Sequence, residues 1–150
     1  MSIIKQIYKA PVDEKTEDFI TVSITINGQE FYGWAHCHPD DKEFCSKKVG
    51  TTIAHMRATI AALKYQRDTA RYEYKVLKKA FFDAHQNIPD DLDVSNPFRT
   101  ALWQAENRYH KYQKEVNKMR KVLRDYLISH EKAITSLKAQ REIAAKAKDN

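Results

Sequence analysis

Residues 52–86 read TIAHMRATIAALKYQRDTARYEYKVLKKAFFDAHQ, with neither glycine nor proline. Ile53, Met56, Ile60, Leu63, Arg67, Ala70, Tyr74, Leu77, Phe81 and Ala84 recur at alternating spacings of three and four. That period puts them on one stripe of an α-helix, a heptad seam interrupted by the charged Arg67. At 1.5 Å per residue the helix is about 50 Å long. Downstream, Asn87–Asn96 (NIPDDLDVSN) is acidic and contains Pro89. It reads as a connection whose Ser95 or Asn96 caps a second helix, with Pro97 at a favoured first position. The seam resumes at Phe98, Leu102, Ala105, Tyr109, Tyr112, Val116, Met119, Leu123, Tyr126, His130, Ala133, Leu137, Gln140 and Ala144. The spacing predicts helices over about 52–86 and 97–147, folded back as an antiparallel coiled-coil hairpin. The second is the longer, so its end beyond Ser136 is expected to overhang without an intramolecular partner.

Upstream the period changes to two. Phe19-Ile20-Thr21-Val22-Ser23-Ile24-Thr25-Ile26 alternates and is β-branched, and Asn27-Gly28 follows. This is the favoured pair for a two-residue type I′ hairpin. The return strand is expected from Gln29 to about His38, with Ile26 opposite Gln29, Ile24 opposite Phe31, Val22 opposite Gly33 and Ile20 opposite Ala35. One face carries Ile20, Val22, Ile24, Ile26, Phe31, Ala35 and Cys37. The other carries Thr21, Ser23, Thr25, Tyr32, Trp34, His36 and His38. A lone hairpin is marginal in water, so helices or a second subunit must cover the apolar face. Before it, Ile3, Ile4, Ile7 and Tyr8 suit a short strand or one helical turn, ended by Pro11 and the acidic run Asp13–Asp18. After it, Pro39-Asp40-Asp41 opens a short helical turn, Gly50 is read as a break, and Thr51 or Thr52 as the cap of the long helix. The expected fold is mainly α, an N-terminal β-hairpin followed by two long antiparallel helices. Its domains are 1–50, a small hairpin domain, and 51–150, the helical hairpin.

Composition narrows the function classes. The 150 residues include only 3 glycines and 4 prolines, too few turn formers for a β-sandwich or barrel. No glycine-rich phosphate loop is present. No long apolar run is present and mean hydropathy is −0.70, so no membrane partner is expected. The start lacks the apolar core of a secretion signal, which points to the cytoplasm. Cys37 and Cys45 are then expected to be reduced, buried apolar residues, because structural disulfides belong to oxidising compartments. Zinc-ligand spacing is missing, so no metal and no cofactor are expected. No nucleophile elbow or positioned catalytic histidine is visible, and no catalytic residue is assigned.

The net charge of +6 is uneven: residues 1–50 carry 6 basic and 8 acidic side chains, residues 51–150 carry 20 and 12. Arg57, Lys64, Arg71 and Lys78 repeat every seven residues, and Lys75 widens that face. With Arg67 on the seam they form the candidate site for an anionic partner, interleaved with Tyr65, Tyr72 and Tyr74. The same row also suits a solvated helix flank. Arg67 is expected to set register, pair with an acid such as Glu115, or point into a pocket. Tyr32, Trp34, His36 and His38 form a second candidate, an interface or stacking face. The bulky polar seam residues, the overhang and the uncovered hairpin face together favour a homo-oligomer.

The run Gly33-x-Ala35-x-Cys37-x-Pro39-x-Asp41, followed by Gly50-x-x-x-Ala54-x-x-Arg57-Ala58, resembles small accessory proteins of phages infecting Gram-positive bacteria. The resemblance spans residues 30–60. It implies a phage origin, and some phage proteins of this size are counter-defence factors of the anti-CRISPR or nucleotide-sponge kind. With no catalytic residue assigned, the expected function is that of a non-enzymatic accessory protein of the host-cell cytoplasm. Its partner would be a host protein, a nucleoprotein complex or a nucleotide ligand. The alternatives are a nucleic-acid-binding protein of a phage replication region and a structural coiled-coil assembly protein.

Overall fold

A computed structural model describes residues 6–8, 19–85 and 97–149. The elements run β1 (Gln6–Tyr8), β2 (Phe19–Ile26), β3 (Gln29–His36), a 3-10 helix (Pro39–Phe44), α1 (Lys47–His85) and α2 (Pro97–Lys148). The chain is mainly helical, with an N-terminal antiparallel hairpin followed by two long helices, as its periodicities predict. The expectations placed on Ile3, Ile4, Pro11, the acidic run 13–18, the connection 87–96 and the caps Ser95 and Asn96 lie outside the described residues.

The hairpin forms in the predicted register, from Ile26 opposite Gln29 to Phe19 opposite His36. Asn27 and Gly28 both take positive φ, 52° and 80°. A type I′ turn needs this at both central positions, and asparagine and glycine tolerate it best. β1 pairs antiparallel with β2, Gln6 opposite Ser23, giving the sheet order β1-β2-β3. The return strand ends at His36, short of the expected His38, because Pro39 begins the 3-10 turn, with Asp41 N–H donating to His38 O at 2.9 Å.

The chain divides into two compact units, Met1–Ala61 with Met119–Asn150, and Ala62–Lys118. The division falls inside the helices, and each helix contributes to both units.

In the first unit Val22, Ile24, Phe31 and Ala35 are buried on one sheet face, and Ile53, Ala54, Ala58 and Ile60 of α1 are buried with them. The first turns of α1 therefore supply the cover that the hairpin requires. Gly33 makes this possible. A Cβ there would overlap the Ala54 carbonyl oxygen and the Ala58 amide nitrogen. These atoms form one i→i−4 link of the helix, so the strand backbone lies directly on a helical hydrogen bond.

α1 starts at Lys47, earlier than expected. Ser46 is the cap, its Oγ accepting from Val49 N–H at 3.5 Å. Thr51 and Thr52 lie inside the helix and return their hydroxyls to the carbonyls of Lys47 and Lys48, at 2.7 and 2.9 Å. Gly50 is not a break but a packing position: a Cβ there would sit 2.7 Å from Ile20 Cδ1.

The far end of α2 belongs to the same unit and corrects the expected overhang. Lys138 pairs with Asp41, and Arg141 pairs with Glu43. The Arg141 guanidinium also stands 4.7 Å from the Phe44 ring centroid. The 3-10 helix thus gives the α2 end an intramolecular partner, which the seam alone could not reveal.

The second unit is the helical pair. Arg67 reaches Gln113 at 3.4 Å and Arg108 reaches Glu73 at 3.1 Å, which makes the pair antiparallel. Ala62, Ala70, Ala105 and Val116 are its buried residues.

Candidate binding surfaces

The outer face of the hairpin exposes its aromatic residues. Tyr32 is 55% exposed and Trp34 54%. His36 is exposed as well, whereas His38 lies beyond the end of β3, where its Nδ1 accepts from Asp40 N–H at 3.3 Å, so it does not join that face. In a two-residue hairpin the pair Thr21–Trp34 is a non-hydrogen-bonded one, so the Trp34 carbonyl points away from β2 toward the open edge of β3. Arg57 occupies that position. Its guanidinium donates to Trp34 O at 2.6 Å and lies 5.3 Å from the Trp34 ring centroid. An edge strand with unpaired backbone groups invites pairing with another chain, and a charged side chain across it blunts that edge. Arg57 is thus engaged by the hairpin.

The remaining row sits in the helical unit. Arg71, Lys75 and Lys78 are exposed and Lys64 is half-buried. Positions 64, 71, 75 and 78 fall within about 60° of one another around an α-helix. Among the described residues Lys64, Arg71 and Lys75 form no ion pair. Lys78 Nζ lies 5.7 Å from the Tyr74 ring centroid. Tyr65 and Tyr72 flank the row at the same seven-residue interval, Tyr72 70% exposed. Arg67 is different. It binds Asp68 at 2.8 Å and Gln113 across the helix pair, and Gln113 passes the contact to Asn117 at 3.0 Å. Its partners are Asp68 and Gln113, not Glu115. Its guanidinium is thereby engaged by groups of the helix pair itself.

The segment carrying the phage-protein resemblance is largely accounted for by packing. Gly33, Ala54 and Ala58 bring strand and helix together, Gly50 admits Ile20, and Arg57 closes the edge. Asp41 holds Lys138. Cys37 and Cys45 are paired in a disulfide, Cα–Cα 6.1 Å. This overturns the expectation of two reduced, buried cysteines. The 3-10 helix turns the chain back on itself and brings their Cα atoms within the range a disulfide spans. Both are half-buried, Cys37 just beyond the end of β3.

Beside this loop, within the first unit, lies a cleft of about 900 Å³. Ile20, Ala35, Ile53, Leu127 and Ile134 form its apolar wall, and both cysteines, His38, His130 and Lys138 line the rest. Lys138 holds the Asp41 carboxyl below its ordinary value by hydrogen bond and charge, with His38 and His130 adding charge at longer range. No group of three or more His, Cys, Asp or Glu side chains suited to a metal occurs among the described residues. No helix among them is long and apolar enough to cross a membrane. Periodicity could not have indicated the cleft, because its walls come from segments some ninety residues apart. The only sequence signal was charge: acids at 41 and 43, bases at 138 and 141.

No protein-family model, curated protein or solved structure matches the chain.

Proposed function

We propose that this chain is a non-enzymatic binding protein, a phage-type accessory factor of the host cytoplasm that engages and blocks an anionic host component. The observation that carries the reading is the division among the basic side chains. Arg57 and Arg67 are held by internal partners, whereas Lys64, Arg71 and Lys75 share one helix flank without a carboxylate partner among the described residues. Unpaired cations in a row raise the local potential and attract a polyanion, and adjacent tyrosines offer stacking surfaces. The component is a defence nuclease complex or an anionic nucleotide signal. Nucleic acid itself is the second reading, favoured by the exposed Tyr72 beside Arg71. Self-association is the third possibility: Ile143, 69% exposed past Arg141, is an apolar side chain that a second copy of the chain would cover.

The test is a charge-reversed variant, Lys64→Glu/Arg71→Glu/Lys75→Glu. Anisotropy against labelled single-stranded DNA, duplex DNA and a cyclic oligonucleotide measures binding, and phage plating on a defended host measures protection. The reading expects the variant to lose binding or protection while keeping its helical circular dichroism. Nucleic acid as the partner requires log affinity to fall with log salt at a slope of about −2 for three phosphate contacts on a single strand. Unchanged binding and unchanged plating would reject the row as the site.

A further inference from the structure

We propose that Cys37 and Cys45 are a reversible redox site, a clasp whose oxidation holds the end of α2 against the 3-10 helix. The proposal is independent of the basic row and concerns the first unit alone.

The disulfide closes a ring of residues 37–45, and inside it lie Asp41, Glu43 and Phe44. These are the residues that hold α2: Asp41 on Lys138, Glu43 on Arg141, and the Phe44 ring beneath the Arg141 guanidinium. Their carboxylates are partly in solvent, with side-chain exposures of 27% for Asp41 and 71% for Glu43. Ion pairs this exposed contribute little, while ordering a loop residue costs more than such a pair returns. The contacts therefore persist only where the loop is already ordered. The disulfide supplies that order by removing conformations from the open loop. Without it the same acids must be positioned by the backbone alone.

The site is reachable. Both cysteines are half-buried and both line the open cleft, so a small thiol can approach either sulfur. Reduction by a dithiol follows ordinary exchange. A thiolate attacks one sulfur, a mixed disulfide forms, and the second thiol of the reductant displaces it. The S–S bond breaks, two electrons and two protons pass to Cys37 and Cys45, and the dithiol leaves as its own disulfide. Oxidised glutathione drives the reverse. Such a pair suits a protein that meets both oxidising and reducing conditions.

The full chain is equilibrated with oxidised glutathione or with dithiothreitol, and intact mass and thiol titration count the free thiols. Hydrogen exchange is then followed in peptides covering residues 38–46 and 134–145. Oxidation is expected to remove both thiols, and reduction to accelerate exchange in 134–145 by about tenfold or more. Cys37→Ser/Cys45→Ser should resemble the reduced protein and ignore dithiothreitol. Asp41→Asn/Glu43→Gln should keep its disulfide yet exchange rapidly in 134–145, so the proposal stays testable if the serine variant fails to fold. Two thiols persisting in oxidised glutathione would overturn it. So would equal exchange in 134–145 before and after reduction, or full protection in Asp41→Asn/Glu43→Gln.

Discussion

Replacing Gly33 with alanine tests the strand–helix contact on which the first unit is built. The added methyl would overlap the Ala54 oxygen and the Ala58 nitrogen and lie 3.0 Å from the Ala54 carbonyl carbon. Carbon atoms rest about 3.5–4.0 Å apart, so even the mildest of these contacts demands a shift of about 0.5 Å or more. No side chain can rotate out of the way, because every obstructing atom is helix backbone. Either α1 lifts from the sheet or the Ala54–Ala58 hydrogen bond is forced aside. Overpacking a core costs about 1–3 kcal/mol, and a backbone obstruction belongs at the upper end. Lifting the helix also uncovers Val22, Ile24 and Phe31, which are at most 9% exposed. We expect a loss of about 3 kcal/mol, which for a chain of this size lowers the melting temperature by about 6–12 °C. Urea unfolding followed by circular dichroism gives the midpoint, and an unchanged m-value shows that stability alone has moved. A Gly33→Ala protein within about 0.5 kcal/mol of the parent would refute the close approach of β3 and α1.

Gly28→Ala is the matched control: nothing lies within 4 Å of its added Cβ, but φ is +80°, so the loss should be about 1 kcal/mol, smaller than at Gly33 in the same urea assay. Ala105→Leu places a large side chain at a fully buried position of the helical pair and should cost about 1–3 kcal/mol in thermal melts; a neutral result would mean that the helices do not pack there. Asp41 has its pKa lowered in the folded state, chiefly by Lys138, so its contribution is present above pH 3.8 and disappears as the pH falls through the folded value. Asp41→Asn should therefore differ from the parent near neutrality and converge on it in acid, and parallel stability curves down to pH 2 would contradict the pairing.

The β-hairpin and the long helices were legible because their signals are local. Alternation over Phe19–Ile26, a positive-φ pair at Asn27-Gly28, and long runs without glycine or proline each act between neighbours a few residues apart. Alternation and register place Tyr32 and Trp34 on the face away from the core but do not decide their exposure: Ser23, opposite Tyr32 on that face, is buried, whereas Tyr32 and Trp34 are exposed. Local reading failed where two distant segments compete for one residue. Gly50 has the chemistry of a helix break, yet Ile20 packs over it and Ser46 caps the helix four residues earlier. Arg57 shares its seven-residue spacing with Lys64 and Arg71, but β3 offers it the Trp34 carbonyl oxygen and indole ring. Context argued against joining Cys37 and Cys45, yet the 3-10 turn brings them to 6.1 Å. The α2 end looked unpartnered because Lys138 and Arg141 meet their acids across 97 and 98 residues. Periodicity specifies which face of an element is apolar, since that depends on bond geometry repeated along the chain. Which surface a face, a charge or a sulfur meets depends on where the chain returns, and only the tertiary structure decides that.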